Sequence, residues 1–152
     1  MKTLLQAIIG DVKSKAQKSH SQIHLEAPEQ MPDLKTDPLK LEQVLFNIIQ
    51  NACEAFSKNV WITLSTEKLG LDTQVKIAVK DDGPGIPPQH LNNIFTPLFT
   101  TKKAGSGLGL PICKKIIDSL GGDLRVESTV GKGTQFNISI PLEYSRMAPS
   151  LN

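Results

Sequence analysis

The sequence has few aromatic residues, few cysteines and no long apolar run. Aromatic residues make up 5% of its 152 residues, and its only cysteines are Cys53 and Cys113. Both cysteines fall on apolar stripes of predicted helices, so we expect two buried thiols rather than a disulfide framework or a zinc site. No apolar run approaches the length of about 18 residues that a membrane-spanning helix needs.

The chain also has no large excess of positive or negative charge. The formal net charge is +2, and no stretch concentrates lysine and arginine, which argues against a nucleic-acid binder. We interpret Lys13, Lys15 and Lys18 as the solvated face of a helix. The three histidines, at positions 20, 24 and 90, lack the spacing of metal ligands.

The remaining composition is typical of a soluble globular domain. Apolar residues make up 39% of the chain and charged residues 21%, and this length fits one domain with a sizeable core. The apolar start resembles a signal peptide, but Gln6 and Gly10 interrupt it, and we predict none. We expect one cytoplasmic, monomeric domain over residues 1–143 and a tail over residues 144–152.

Apolar residues at helical spacing predict three helices. The second begins at Asp37-Pro38, a capping side chain followed by proline at the first helical position. The third runs from about Leu108 to Leu120, and Gly121-Gly122 ends it. The predicted inward positions are Leu4, Leu5, Ile8, Ile9 and Val12 in the first helix, Leu41, Val44, Leu45, Ile48, Ile49, Ala52 and Ala55 in the second, and Ile112, Cys113, Ile116, Ile117 and Leu120 in the third.

Alternating apolar residues predict five strands, joined mostly by short turns. They lie at about residues 21–25, 60–65, 75–81, 124–126 and 136–140. Short turns imply antiparallel pairing, so we predict an α+β fold, a two-layer sandwich with one mixed, mostly antiparallel sheet and helices on one face. Asp81 shares the parity of the inward residues of its strand. Burying an unpaired carboxylate is costly, so Asp81 needs a partner.

Between Asp82 and Gly107 the sequence is rich in proline and glycine and lacks periodicity. A loop of this length is usually functional or disordered. It carries two of four motifs that follow one another along the chain. The four are NIIQNACEA at residues 47–55, DDGPGI at 81–86, IFTPLFTTK at 94–102 running into GSGLGL at 105–110, and GKGTQF at 131–136.

Together these motifs resemble the N, G1, F, G2 and final glycine-threonine boxes of the GHKL ATPase superfamily. GSGLGLPI is most similar to its histidine-kinase branch, and the F segment looks most like the nitrogen-regulation type of sensor kinase. The resemblance covers roughly residues 37–141. It implies a GHKL-type sandwich whose residues 1–143 form the ATP-binding catalytic domain of a two-component sensor histidine kinase.

The resemblance makes Asp81 the candidate reader of the base. An inward carboxylate selects adenine, whose exocyclic amine donates a hydrogen bond where guanine has an acceptor. Thr134 shares the parity of Phe136, so its hydroxyl belongs to the same network, unless it is a simple strand threonine. Gly83 and Gly85, with Ile86 after them, let the backbone approach a ligand without a Cβ in the way.

Asn51 is the candidate magnesium ligand, because Mg²⁺ takes oxygen donors, keeps waters and shares triphosphate oxygens. Asn47 and Glu54 lie on the same helix stripe and are expected to orient waters or support the metal. Other branches of the superfamily have an acid at the position of Asn47. An amide there is a poor general base, which favours phosphoryl transfer over hydrolysis. The alternative is that these amides only solvate a helix face.

The glycines before the third helix are expected to hold the phosphates, because helix N-termini attract anions. Lys102 or Lys103 is the candidate contact of the γ-phosphate; the alternative is that both are ordinary surface lysines. Phe95, Leu98 and Phe99 are interpreted as exposed loop residues that fasten a lid over the nucleotide or contact a partner. The expected nucleotide contacts in this part of the chain are Phe99, Thr101, Lys102, Gly105, Ser106, Gly107, Leu108, Gly109 and Leu110.

No histidine here stands in the context of a phosphoacceptor; His24-Leu25-Glu26 comes nearest. We therefore expect the acceptor on a helical-hairpin dimerisation domain outside this chain, with a response regulator as the next partner. We expect no nucleic-acid or membrane contact by this domain, and whether the parent protein is anchored in a membrane stays open. The alternatives are a serine kinase of the anti-sigma-factor type and a nucleotide-binding adaptor without transfer activity.

Overall fold

The computed structural model describes residues 4–16, 21–54, 58–96 and 109–142. These residues form four helices and five strands. In chain order the elements are α1 (Leu4–Ala16), β1 (Gln22–Glu26), α2 (Pro38–Glu54), β2 (Asn59–Leu69), β3 (Asp72–Asp81), α3 (Pro88–Leu91), α4 (Gly109–Ser119), β4 (Asp123–Thr129) and β5 (Gly133–Pro141).

The strands form one mixed sheet in the order β1-β2-β3-β5-β4. β1 runs parallel to β2, to which α2 connects it, and every other pair is antiparallel. β2 and β3 form a longer hairpin than predicted, in which Leu69 pairs with Asp72 around a turn at Gly70 and Leu71. Their outer ends are polar, so apolar alternation did not reveal them. The predicted mixed, mostly antiparallel sheet is confirmed.

The core lies between the helices and one face of the sheet. Ile62, Ile77 and Ile138 are almost completely buried at the centre of that face. α2 contacts β2 and β3, α4 contacts β4, and α1 packs on α2. The opposite face carries partly exposed polar residues such as Thr63 and Asn137. The period of two in each strand thus produces two layers, as predicted.

The first two helices agree with their sequence signals where their side chains are described; the predicted inward positions of Leu4 and Ala55 lie outside the described side chains. The side chains of Leu5, Ile9 and Val12 are buried in α1. Asp37 caps α2, because its Oδ1 accepts hydrogen bonds from the backbone N–H groups of Leu39 at 3.1 Å and of Lys40 at 3.2 Å. These bonds satisfy amides that have no partner within the helix.

The third predicted helix, α4, differs from its prediction at one position. Cys113 and Ile117 are completely buried, but Ile112 is 37% exposed, so its predicted inward position is wrong. Successive helical residues are rotated by about 100°, and Cys113 and Ile117 set the buried face. Ile112 therefore lies on the flank. The chain leaves the helix through Gly121, which has φ +78°, as predicted for a glycine stop.

Part of the predicted loop after Asp82 is ordered against the core. The short helix α3 begins at Pro88, and turns follow it. Ile94 is 6% exposed, and Phe95 is half-buried against the core. The prediction of Phe95 as an exposed loop aromatic is therefore wrong. A single helical turn is too short to show periodicity, so the sequence did not reveal the change of direction that brings Phe95 inward.

Candidate functional site

Asp81 is a buried carboxylate at the end of a central strand. It is the last residue of β3 and is 4% exposed. Its Oδ1 accepts hydrogen bonds from the backbone N–H groups of Gly83 at 2.9 Å and Thr134 at 3.3 Å. The predicted inward direction is confirmed, and two backbone donors are among its partners. They hold the carboxylate in one orientation.

Thr134 lies beside Asp81 because the ends of β3 and β5 approach closely. Gly133 has φ +125°, and a Cβ there would collide with the carbonyl oxygen of Asp81, so this approach requires glycine. Thr134 is 7% exposed, and its Oγ1 lies 2.8 Å from Oγ of Ser128, its partner on β4. Thr134 therefore contacts Asp81 through its backbone N–H, whereas its hydroxyl contacts Ser128; the predicted role of that hydroxyl near the base stays a prediction. Ser128 was missed, because no local pattern marks it.

The glycine loop after Asp81 rests on the turn between β4 and β5. The N–H of Ile86 donates to Oγ of Ser128 at 2.8 Å, and the N–H of Gly131 donates to the carbonyl oxygen of Pro84 at 2.8 Å. Gly85 has φ +80°, and a Cβ there would collide with the carbonyl of Thr129. The structure thus gives Gly85 a reason other than the predicted close approach of a ligand: it must fit against this turn.

Asp82 has a separate structural role that sequence reasoning missed. Its Oδ1 accepts from the N–H groups of Lys58 at 2.8 Å and Asn59 at 3.0 Å, and its Oδ2 accepts from Nδ2 of Asn59 at 3.1 Å. The backbone N–H of Asn59 is the main cause that lowers the pKa of Asp82. Asp82 is exposed, and it ties the end of β3 to the start of β2.

The polar stripe of α2 carries the candidate metal and phosphate residues. Asn47 and Asn51 are half-buried, and Glu54 is exposed. Gln50 donates from Nε2 to Oε1 of Glu54 at 3.1 Å. All three predicted residues thus lie along one helix, which contacts β3 and α4. Their predicted roles toward metal and phosphate stay predictions.

Asn47 also lies on the side of α2 that faces α4. Burial raises the pKa of the Cys113 thiol to about 11, and the neighbouring side chain of Asn47 lowers it by a smaller amount. The thiol is therefore neutral at physiological pH, and its Sγ lies 3.8 Å from the carbonyl oxygen of Val44. Asn47 therefore lies near the contact between α2 and α4, and its predicted catalytic role stays a prediction.

The phosphate side of the predicted site is described only in part. α4 begins at Gly109, which is exposed, and Leu110 is half-buried. A helix N-terminus therefore stands where the glycine motif ends, and it suits an anion. The predictions for the preceding segment lie outside the described residues: Leu98, Phe99, Thr101, Lys102, Lys103, Gly105, Ser106, Gly107 and Leu108.

The donors at the site fit a magnesium ion that is bound mainly through phosphates. The described residues hold no group of three or more histidine, cysteine, aspartate or glutamate side chains able to form a metal cage. Asn51 offers a carboxamide oxygen, and Mg²⁺ commonly takes one or two protein oxygens with phosphate oxygens and water.

In the described part of the chain, no helix is long and apolar enough to cross a membrane.

Comparison with known proteins decides the family. A family model described as histidine kinase-, DNA gyrase B-, and HSP90-like ATPase matches residues 36–144. The chain belongs to this ATPase family. It is 36% identical over 149 residues to the sensor histidine kinase ZraS of Escherichia coli K12, covering 98% of this chain and 32% of ZraS. It is 43% identical over 107 residues to sporulation kinase C of Bacillus subtilis 168, covering 70% of this chain and 24% of that kinase.

Solved structures of the ATPase family agree with the fold. The nucleotide-free catalytic domain of the histidine kinase ThkA matches with 35% identity and a TM-score of 0.74, over 93% of this chain and 98% of that one. Full-length ShkA in complex with AMPPNP matches with 28% identity and a TM-score of 0.75, over 91% of this chain and 29% of ShkA. These matches confirm the predicted resemblance to histidine-kinase catalytic domains and the predicted fold. The chain spans about a third or less of the curated relatives it matches.

Proposed function

We propose that this domain binds Mg-ATP and donates the γ-phosphate to a histidine on a helical-hairpin domain outside this chain. A response regulator then takes the phosphate onward in two-component signalling in the cytoplasm. The observation that carries this proposal is the buried carboxylate of Asp81, held by two backbone N–H groups at the end of a central strand. A fixed, buried acceptor is suited to reading a base.

Adenine fits this acceptor better than guanine does. Adenine carries an exocyclic amine that donates hydrogen bonds, whereas guanine carries a carbonyl at the same position. If guanine bound here, its carbonyl oxygen would face the carboxylate of Asp81, and two acceptors would meet without a proton between them. The site would then lose the charge-assisted hydrogen bond that the amine of adenine donates, and such bonds are among the strongest in proteins. Thr134 supports the same selection, because its backbone N–H holds Asp81 in place.

The residues of α2 are assigned to the other end of the nucleotide. The carboxamide oxygen of Asn51 would hold the magnesium ion, which when bound neutralises charge on the phosphates. Asn47 lies one helical turn earlier and has no basic group, so it is a poor activator of water. Phosphoryl transfer depends mainly on positioning and on electrostatic support. A site without a placed nucleophile therefore retains its triphosphate.

Incubation with radiolabelled ATP tests the proposal. Alone, the chain should hydrolyse ATP slowly if at all and should not label itself. Addition of the helical-hairpin domain of its parent kinase should give acid-labile, base-stable label on that hairpin. Asp81→Asn should abolish this labelling, whereas Asp72→Asn, at the exposed far end of the same strand, should not affect it.

Three other results would contradict the proposal. Strong self-labelling on His20, His24 or His90 would mean that this chain carries its own acceptor. Acid-stable label on a serine of a partner would favour a serine kinase of the anti-sigma-factor type. Tight ATP binding with no transfer to the hairpin would favour a nucleotide-binding adaptor.

A further inference from the structure

The hydroxyl of Ser128 is a junction between three parts of the candidate site. Its Oγ accepts from the N–H of Ile86 in the glycine loop at 2.8 Å. It lies 3.0 Å from the carbonyl oxygen of Gly133 and 2.8 Å from Oγ1 of Thr134. Ser128 lies on β4, which β5 separates from Asp81 on β3, and it touches both the loop and the strand that flank this carboxylate.

The protons of these groups fix the direction of each hydrogen bond. A serine hydroxyl has one proton and two lone pairs. The amide of Ile86 can only donate, and the carbonyl of Gly133 can only accept. If Ser128 donates to Gly133, it can accept from both Ile86 and Thr134, and all three bonds form. If Ser128 donated to Thr134 instead, the bond to Gly133 would be lost.

The arrangement with three bonds uses the hydroxyl proton of Thr134. Thr134 donates this proton to Ser128, so its Oγ1 has only lone pairs left for any further partner. Such a partner, whether a base or a bridging water, must therefore donate to Thr134. The Oδ1 atom of Asp81 beside it likewise accepts hydrogen bonds, from the backbone N–H groups of Gly83 and Thr134. The buried end of the site then presents acceptors from both side chains.

We propose that Ser128 is a positioning residue that orients the Thr134 hydroxyl as an acceptor and thereby sharpens selection of adenine over purines with a carbonyl at the same position. This inference rests on the proposed function, because it assumes that the base binds at Asp81. Ser128 makes no contact with the base in this account. It acts through the proton of Thr134 and through the loop that Ile86 anchors.

The test compares the affinities of ADP and inosine diphosphate, which has a carbonyl where ADP has the amine. Without Ser128, the Thr134 hydroxyl can rotate and donate to that carbonyl. Ser128→Ala should therefore lower the preference for ADP by about fivefold, the effect of one hydrogen bond. Loss of loop position alone would weaken both nucleotides equally. Ser128→Thr, which keeps the hydroxyl, should restore the wild-type ratio.

A double substitution tests whether Ser128 acts through the hydroxyl of Thr134 rather than through a general disturbance of the site. Thr134→Val removes the proton that Ser128 orients, so adding Ser128→Ala to Thr134→Val should not change the affinity ratio further. Ser65→Ala, an exposed serine on the opposite face of the sheet, serves as the control. If Ser128→Ala does not fold, as judged by circular dichroism, Ser128→Cys replaces it, because a thiol is a weaker acceptor.

The outcomes distinguish this inference from the function on which it rests. A wild-type chain that binds neither ADP nor inosine diphosphate would overturn both. A wild-type chain that prefers ADP, together with a Ser128→Ala variant that keeps the full preference, would overturn only the role of Ser128. A reduced ratio that Ser128→Thr restores is the result we expect.

Discussion

The two ends of the candidate site differ in how firmly they are held. At the strand end, Asp81 and Thr134 are 4% and 7% exposed, and backbone and hydroxyl bonds fix them. On α2, Asn47 and Asn51 are half-buried, and Glu54 is exposed. One end is part of the folded core, and the other is a polar stripe beside it.

This difference matches what each end is proposed to bind. A base is rigid and is distinguished by a few donors and acceptors, so acceptors fixed in advance reduce the ordering cost of binding. A magnesium ion keeps several waters and takes phosphate oxygens, so its protein ligand can remain partly hydrated. Substitutions at the strand end should therefore change base affinity, and substitutions on α2 should change the response to metal.

Asp81→Asn should have the largest effect on nucleotide binding. The amide places a donor against the adenine amine and loses a charge-assisted bond, which costs about 2–4 kcal/mol. Calorimetric titration with ADP should show this loss while circular dichroism remains unchanged. Asp72→Asn is the matched control, since it removes a charge from the exposed end of the same strand. Wild-type affinity in Asp81→Asn would refute the assignment of the base.

Gly85→Ala should destabilise the strand end through its loop. The new methyl group would collide with the carbonyl of Thr129 and would also sit at φ +80°. The strain of a left-handed backbone at a non-glycine residue and the collision of the added methyl group should together lower the free energy of unfolding by about 2–4 kcal/mol. Gly131→Ala has a similar φ of +84° but meets no atom, so it should cost only about 1–2 kcal/mol. Equal losses in urea unfolding would contradict the packing role of Gly85.

Asn51→Ala should reduce the gain in nucleotide affinity that magnesium gives, by about tenfold, the loss of one good ligand contact. Binding of the nucleotide in chelator should be nearly unchanged, because Asn51 is not assigned to the base. Fluorescent-nucleotide titrations with and without magnesium measure both quantities. Gln43→Ala removes an exposed carboxamide from the same helix and should leave both unchanged. An unaltered magnesium response in Asn51→Ala would count against a metal role.

Asp82→Asn should have the smallest effect, and this effect should be seen only in how the free energy of unfolding changes with pH. Hydrogen bonds from Asn59 lower the pKa of Asp82 in the folded chain. Its stabilisation is therefore present above the unfolded pKa of about 3.9 and is lost as pH falls through the lower folded pKa. Since the group is exposed, we expect less than about 1 kcal/mol. Urea unfolding at about pH 7 and about pH 3 should show a shallower acid loss for the variant than for wild type; equal slopes would argue against this coupling.

Much of the fold could be predicted because it follows from local periodicity. α1, α2 and the sheet strands carry apolar residues at periods that a single sequence shows. The inward direction of Asp81 followed from strand parity alone. α3 could not be predicted from one helical turn, and its position explains the wrong prediction for Phe95. The prediction that Ile112 points inward was wrong because an apolar residue can lie on either flank of a helix.

The site was predictable only where a side chain belongs to a motif. Asp81 and Thr134 were proposed as site residues in this way, whereas the hydrogen-bond partners of Ser128 and Asp82 were not predicted. Ser128 bonds to Ile86, 42 residues away, and Asp82 bonds to Lys58, 24 residues away. Hydrogen bonds between such distant positions arise from strand order and turn packing, which no local pattern records.

The most direct test of the division between the two ends is a nuclear magnetic resonance titration of the ¹⁵N-labelled chain. Mg-ADP should shift the backbone amides of Gly83 and Thr134, which donate to Asp81. Magnesium tripolyphosphate, which lacks a base, should shift the side-chain amide of Asn51 and the backbone amide of Gly109 but leave Gly83 and Thr134 in place. If Mg-ADP binds without moving Gly83 and Thr134, the base does not lie at Asp81, and the account is wrong.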